Sequence, residues 1–170
     1  MQLYRICPQA YLQDFSGLGA SYKDGTRWNS AGLPVLDFAL SPTIALLERA
    51  NYIPSPRLIP PSYRLGIYEL TEQVNLDQLG VKQLPNDWAQ YPDPKSTQTL
   101  GDQWLLSGDA LGLMAPNTAA SAGLEPIVLI NPRHTLIEEI QLTDSIEELY
   151  NKRSFMGMWW HNYPQSKPSA

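Results

Sequence analysis

Cysteine, histidine, basic residues and long apolar runs are all scarce in this chain. Cys7 stands alone, so no internal disulfide can form, which fits a reducing cytoplasm. Cys7, His134 and His161 are too few for a Cys/His zinc site, and no metal is expected. No window approaches ~18 apolar residues, so no membrane-spanning helix is expected. Met1 to Ala10 holds Arg5, Pro8 and Gln9 and no apolar run, so no secretory signal is read there. Basic residues number 12 against 17 acidic, a net charge of −5. Such a chain gains little from phosphate counterion release, which argues against nucleic acid as a partner and suits a basic one.

What is present reads as a folded protein. Hydrophobic residues make up 43% and charged residues 17%, which excludes wholesale disorder. A length of 170 residues without an internal period suits one domain, placed at 1–163, with 164–170 as a flexible tail. The 15 prolines, about 9% against a usual ~5%, predict many loops and short elements.

Leu3, Arg5 and Cys7 alternate with Tyr4 and Ile6, which predicts a first strand. Phe15 to Gly25 is a glycine-rich loop, and Pro34 to Ala39 a short strand broken by Asp37. Ser41-Pro42 has the form of an N-cap followed by proline at the first helical position. Ile44, Leu47 and Ala50 then recur at helical spacing until Pro54. A proline-rich connector runs to Pro61. Further strands are predicted at Tyr63–Leu70, Ala110–Ala115, Pro126–Asn131 and Thr135–Leu142. Helices are predicted at Ser96–Ser107 and, more weakly, at Asp144–Lys152. An aromatic stretch, Met156 to Tyr163, reads as core or partner-contact surface. Strands and helices mix without βαβ regularity, so the fold class is α+β.

Several residues could carry chemistry. Gly17-Leu-Gly19 lacks the third glycine of a dinucleotide fingerprint; it is either a plain turn or a loop whose backbone approaches a ligand. Arg27-Trp28-Asn29 combines a planar fork for phosphate or carboxylate, a stacking face and an amide for ribose hydroxyls. It fits equally a structural arginine stacked on tryptophan. Glu48 sits after Ala45-Leu46-Leu47, either on an exposed face or with a partner. Arg5 is either an edge residue or an inward anion ligand. Asn131-Pro-Arg-His134 reads as a turn. Ser107, Thr118 and Ser121 have no base nearby in sequence.

Taken in order, Tyr4-Arg5, Ser16-Gly-Leu-Gly-Ala20, Gly25-Thr-Arg-Trp-Asn-Ser-Ala-Gly-Leu-Pro-Val35 and Ser41-Pro-Thr-Ile-Ala-Leu-Leu-Glu48 resemble the RES domain family. Gly101-Asp-Gln-Trp104, Ala115-Pro-Asn117 and Leu129-Ile-Asn-Pro-Arg-His134 continue the likeness to about residue 140. The resemblance implies an ADP-ribosyltransferase-like fold, with a split, twisted β core and helices around it. It implies a toxin that consumes NAD+ by cleaving the nicotinamide–ribose bond, with water, inorganic phosphate or a host protein side chain as acceptor. It also implies a helix-turn-helix (Xre-like) antitoxin covering the cleft. By resemblance Glu48, Arg27 and Arg5 are the catalytic set, and Arg5, Arg27, Trp28, Asn29, Asp37 and Asn117 bind NAD+. Two positions depart: Asp37 stands where the family has tyrosine, and Asn117 where it has serine. A degenerate member that only binds a partner is the remaining reading.

Overall fold

The computed structural model describes residues 1–53, 55–71 and 74–151. Among the described residues seven strands form one sheet in the order β4-β5-β6-β2-β1-β3-β7. The strands are β1 (Gln2–Pro8), β2 (Leu36–Ala39), β3 (Tyr63–Leu70), β4 (Leu76–Gln78), β5 (Gly112–Pro116), β6 (Pro126–Ile130) and β7 (Ile140–Ile146). All neighbours run antiparallel except β4 and β5. The helices are α1 (Ala20–Asp24), α2 (Pro42–Ala50) and α3 (Lys95–Ser107). The mixed sheet with helices is α+β, as the order of elements predicts.

The sheet is split in its middle. β1 pairs with β3 continuously from Gln2↔Glu69 to Pro8↔Tyr63, and β2 pairs with β6 along its whole length. Between β1 and β2 the only registered pair is Tyr4↔Ala39. Beyond that pair the two strands part, and the gap opens a cleft.

Period-2 alternation sorts side chains onto two faces. Ile6, Val35, Ala39, Leu113 and Leu129 join Trp28, Ile44 and Ala45 in one cluster under α2. Leu3, Cys7, Leu36, Phe38, Val128 and Ile130 join Tyr68 in the other. Tyr68 anchors the second cluster, edge-on to Phe38 at 5.0 Å and donating its hydroxyl to the Leu12 carbonyl at 2.9 Å.

α2 begins as its sequence predicts. The Ser41 side chain accepts from the Ile44 amide at 3.2 Å, with Pro42 in the first turn. Such a cap contributes about 1 kcal/mol. The inward stripe differs from the predicted Ile44, Leu47 and Ala50. Ile44 and Ala45 are buried, whereas Leu47 is 42% exposed. Positions 48 and 49 continue the 44/45 face one turn later, so Glu48 and Arg49 point the way Ile44 and Ala45 do.

Three local predictions fail. The loop from Phe15 to Gly25 contains α1, and β4 was not foreseen. Thr135–Leu142 is not one strand: Ile137–Glu139 is a 3-10 turn and the strand begins at Ile140. The helix predicted from Asp144 is instead the end of β7, paired with β3 from Leu70↔Ile140 to Leu65↔Ile146 across a bulge at Ile67/Tyr68. A free edge on β3 outcompetes a weak local helix preference. The aromatic stretch and the tail, 156–170, lie outside the described residues.

Candidate functional site

The cleft holds a cavity of about 840 Å³, within the usual range for small-molecule and cofactor sites. Arg5 leaves β1 on the face of Leu3 and Cys7, whereas Glu48 comes from the helix on the other face. Both line the cavity, as do Arg27, Asp37 and Asn117. The missing β1–β2 pairing makes this possible, because the cleft passes between the strands.

Glu48 is half-buried, not on an exposed face. Burial pushes its carboxyl from the ordinary 4.5 up to about 7, and the nearby Asp37 charge adds to the rise. A hydrogen bond from Asn51 Nδ2, together with Arg27 and Arg49, pulls the other way. Asp37 lines the cleft and is exposed there. Desolvation between the cleft walls raises its carboxyl above the ordinary value, opposed by Arg5 and Arg49. It forms no hydrogen bond or ion pair with the described residues. Phe38 points to the opposite side of β2, into the second cluster, and cannot stand in for a ring at position 37.

Arg27 is at the cavity, but its fork is occupied. Nη1 donates to the Trp88 carbonyl and to the Gln90 carbonyl at 3.1 Å. Nη2 donates to Gln90 at 3.1 Å and pairs with Asp93 Oδ1 at 2.6 Å. Arg27 therefore ties the 88–93 loop over the cleft, and the expectation of a free fork on it is corrected. Arg5 is less committed, with one 3.3 Å bond from Nη1 to the Asp14 carbonyl and its guanidinium 5.9 Å from the Phe38 ring centre.

The rest of the Arg-Trp-Asn triplet is structural. Trp28 borders the cavity, but at 3% exposure it packs in the first cluster rather than offering a free stacking face. α3 presses on it so closely that a Cβ on Gly101 would lie 1.8 Å from the Trp28 carbonyl oxygen. Asn29 is fully buried, with Nδ2 donating to the Ser21 and Leu33 carbonyls at 2.9 Å and Oδ1 accepting from the Thr26 hydroxyl. No group of Asn29 is left for a ribose hydroxyl. Gln98 and Asp102 of α3 complete the clamp, bonding the Thr26 carbonyl at 2.7 Å and the Ser30 amide at 2.8 Å.

Asn117 is 1% exposed. Its Oδ1 accepts from the Ala119 amide at 2.6 Å, while Nδ2 is buried with no acceptor among the described residues. An unmatched buried donor at a cavity wall is unfavourable unless a ligand completes it. Gly17 also borders the cavity, with φ of +68° and no room for a side chain, since a Cβ would meet Pro132 at 2.7 Å. Asn131 behaves as the turn reading predicts, accepting from the Arg133 amide at 3.0 Å.

The sequence reading missed Arg49 and Asp93. The signal for Arg49 was available: positions 44, 45, 48 and 49 form one helical stripe.

Comparison with known proteins agrees with this architecture. The RES domain family matches residues 2–150. The chain belongs to the RES domain family. Among curated RES relatives, it is 34% identical over 135 residues to "Toxin Res" of Yersinia enterocolitica, covering 79% of this chain and 86% of the relative. It is 36% identical over 147 residues to "Toxin Res" of Pseudomonas putida, covering 85% and 94%. It is 29% identical over 142 residues to the "Prs ADP-ribosylating toxin" of a Sphingobium strain, covering 82% and 86%. A chain in the crystal structure of the M. tuberculosis MbcT–MbcA toxin–antitoxin complex superposes with a TM-score of 0.66, covering 86% of this chain and 82% of that one. At 23% identity that likeness establishes the RES domain's fold and nothing finer.

Proposed function

We propose that this chain is the toxin of a toxin–antitoxin pair, that NAD+ binds in the cleft between β1 and β2, and that the nicotinamide–ribose bond is broken there. One observation carries the reading: a half-buried carboxyl, Glu48, shares a dinucleotide-sized cavity with three arginines, from β1, from the turn between α1 and β2, and from α2. Cleavage builds positive charge on the ribose, in an oxocarbenium-like state of the glycosidase kind. An ionised Glu48 stabilises that charge and holds a ribose hydroxyl. The electron pair of the broken bond leaves with nicotinamide, which departs neutral and needs no strong acid. The acceptor oxygen, from water or phosphate, forms the new bond to the ribose carbon, and water's proton passes to solvent. Arg5 serves the phosphates, Asn117 Nδ2 donates to the bound ligand, and Arg27 holds the loop that borders the site. The relatives' names support a toxin, and the likeness to a chain of the MbcT–MbcA toxin–antitoxin complex supports an antitoxin partner; the helix-turn-helix kind of that antitoxin and the cytoplasmic setting are part of the proposal.

A second reading, transfer to a protein side chain, is favoured by the relative named as an ADP-ribosylating toxin. Product analysis separates the two. NAD+ incubated with pure protein should yield ADP-ribose in phosphate-free buffer and a phosphorylated ADP-ribose when phosphate is added. Label that instead appears only on a protein in cell extract would favour transfer. Absence of all three products would leave the partner-binding reading that Asp37 motivates.

A further inference from the structure

The cleft contains more cationic groups than the resemblance assigns, and an account of their donors changes the assignment. Arg27 has both terminal nitrogens committed to the 88–93 loop. Arg49, one residue after Glu48 on the inward stripe of α2, lines the same cavity. Among the described residues it hydrogen-bonds only through Nη2, to the Ile6 carbonyl at 2.6 Å. Among the described residues Nη1 has no acceptor, and neither has the buried Nε. Its guanidinium lies 5.4 Å from the Tyr63 ring centre and 5.9 Å from that of Tyr52. Two rings and one carbonyl hold the group in place while leaving most of its donors unused among the described residues. A guanidinium held this way is prepared for planar recognition of phosphate or carboxylate oxygens.

We infer that Arg49 is an anion-binding residue of the cleft, sharing with Arg5 the phosphate oxygens of a nucleoside diphosphate group, while Arg27 is a positioning residue for the loop. The inference rests on the reading of the cleft as a site for NAD+. The other charges facing Arg49 are compatible with it. Asp37 and Glu48 stand on the same side, but two cations, Arg5 and Arg49, offset them locally. Simple neutralisation of Asp37 is the competing role for Arg49, and no ion pair between the two is formed.

The test is calorimetric titration of ADP-ribose, which lacks the scissile bond, and separately of inorganic pyrophosphate, into the full chain. Wild type, R49K and R49Q are compared, with near-UV circular dichroism as the check on folding. R49Q should lose about 10- to 100-fold in ADP-ribose affinity, as expected for charge-assisted hydrogen bonds. R49K should lose part of that, because it keeps the charge and the bond to Ile6 but not the fork. With NAD+ as substrate, KM should rise while kcat changes little, since Arg49 acts away from the reacting carbon. A folded R49Q with wild-type affinity overturns the inference. Were R49Q unfolded, R49K with wild-type affinity would overturn it instead. Wild type that takes pyrophosphate but not ADP-ribose, with R49Q losing pyrophosphate, upholds the anion role and refutes the dinucleotide reading. Wild type that binds neither refutes both.

Discussion

At pH 8 the Glu48→Gln variant should be more stable than the wild type, and the gain should vanish near pH 4. The cause is the carboxyl's displacement from an ordinary 4.5 to about 7. At 1.36 kcal/mol for each tenfold change in proton affinity, ionising Glu48 in place costs about 3 kcal/mol. Cleft water screens part of that, so about 1–3 kcal/mol is expected in practice. The sign follows from proton linkage. Between 4.5 and about 7 the folded chain holds a proton that the unfolded chain has released, so wild-type stability falls as pH climbs through that window and then levels. Glutamine is neutral throughout and matches the side chain in size. It sacrifices only a long 3.4 Å bond from Asn51. Urea denaturation at pH 4 and pH 8, read as midpoint and slope, measures the difference. A variant equal to or less stable than wild type at pH 8 would refute the burial argument. Added stability together with lost activity would show that the carboxylate is kept for function at a structural cost.

Other perturbations test separate parts of the arrangement. Asp37→Asn removes the carboxylate whose charge raises that of Glu48, so the acid limb of the turnover profile, set by Glu48, should move to lower pH; an unmoved limb would show that the two do not interact. Arg27→Ala should free the 88–93 loop, increasing its cleavage by limited proteolysis and costing about 1–3 kcal/mol of stability; unchanged proteolysis would contradict the anchor. Gly101→Ala should destabilise by about 3 kcal/mol or more, because the new methyl meets the Trp28 carbonyl oxygen, and thermal melting reads this directly.

Legibility of the chain followed how local its signals were. Ser41-Pro42 announces α2 because a cap is a short-range device, and Tyr63–Leu70 is a strand with the predicted limits. β4, three residues long, and β7, whose Asp144 and Ser145 look helix-starting, depend on partners distant in sequence. The same limit governs the site. Alternation on β1 separates Arg5 from Ile6, but nothing local reveals that β1 and β2 part after Tyr4 and let Arg5 reach the cavity of Glu48. Arg27 was legible as a functional position and not as an occupied one, because its acceptors are backbone carbonyls 61 and 63 residues away. Trp28 and Asn29 look like ligand chemistry in the string; only packing against Gly101 and saturation by Ser21 and Leu33 make them structural.

Release of nicotinamide from NAD+ at pH 8, compared between wild type and Glu48→Gln, puts the account to its most direct trial. Turnover by the wild type, falling about 10²–10³-fold in a folded variant, is the expected result for loss of one preorganised electrostatic group. A variant that releases nicotinamide as fast as the wild type, or a wild type that releases none with water, phosphate or cell extract as acceptor, would contradict it.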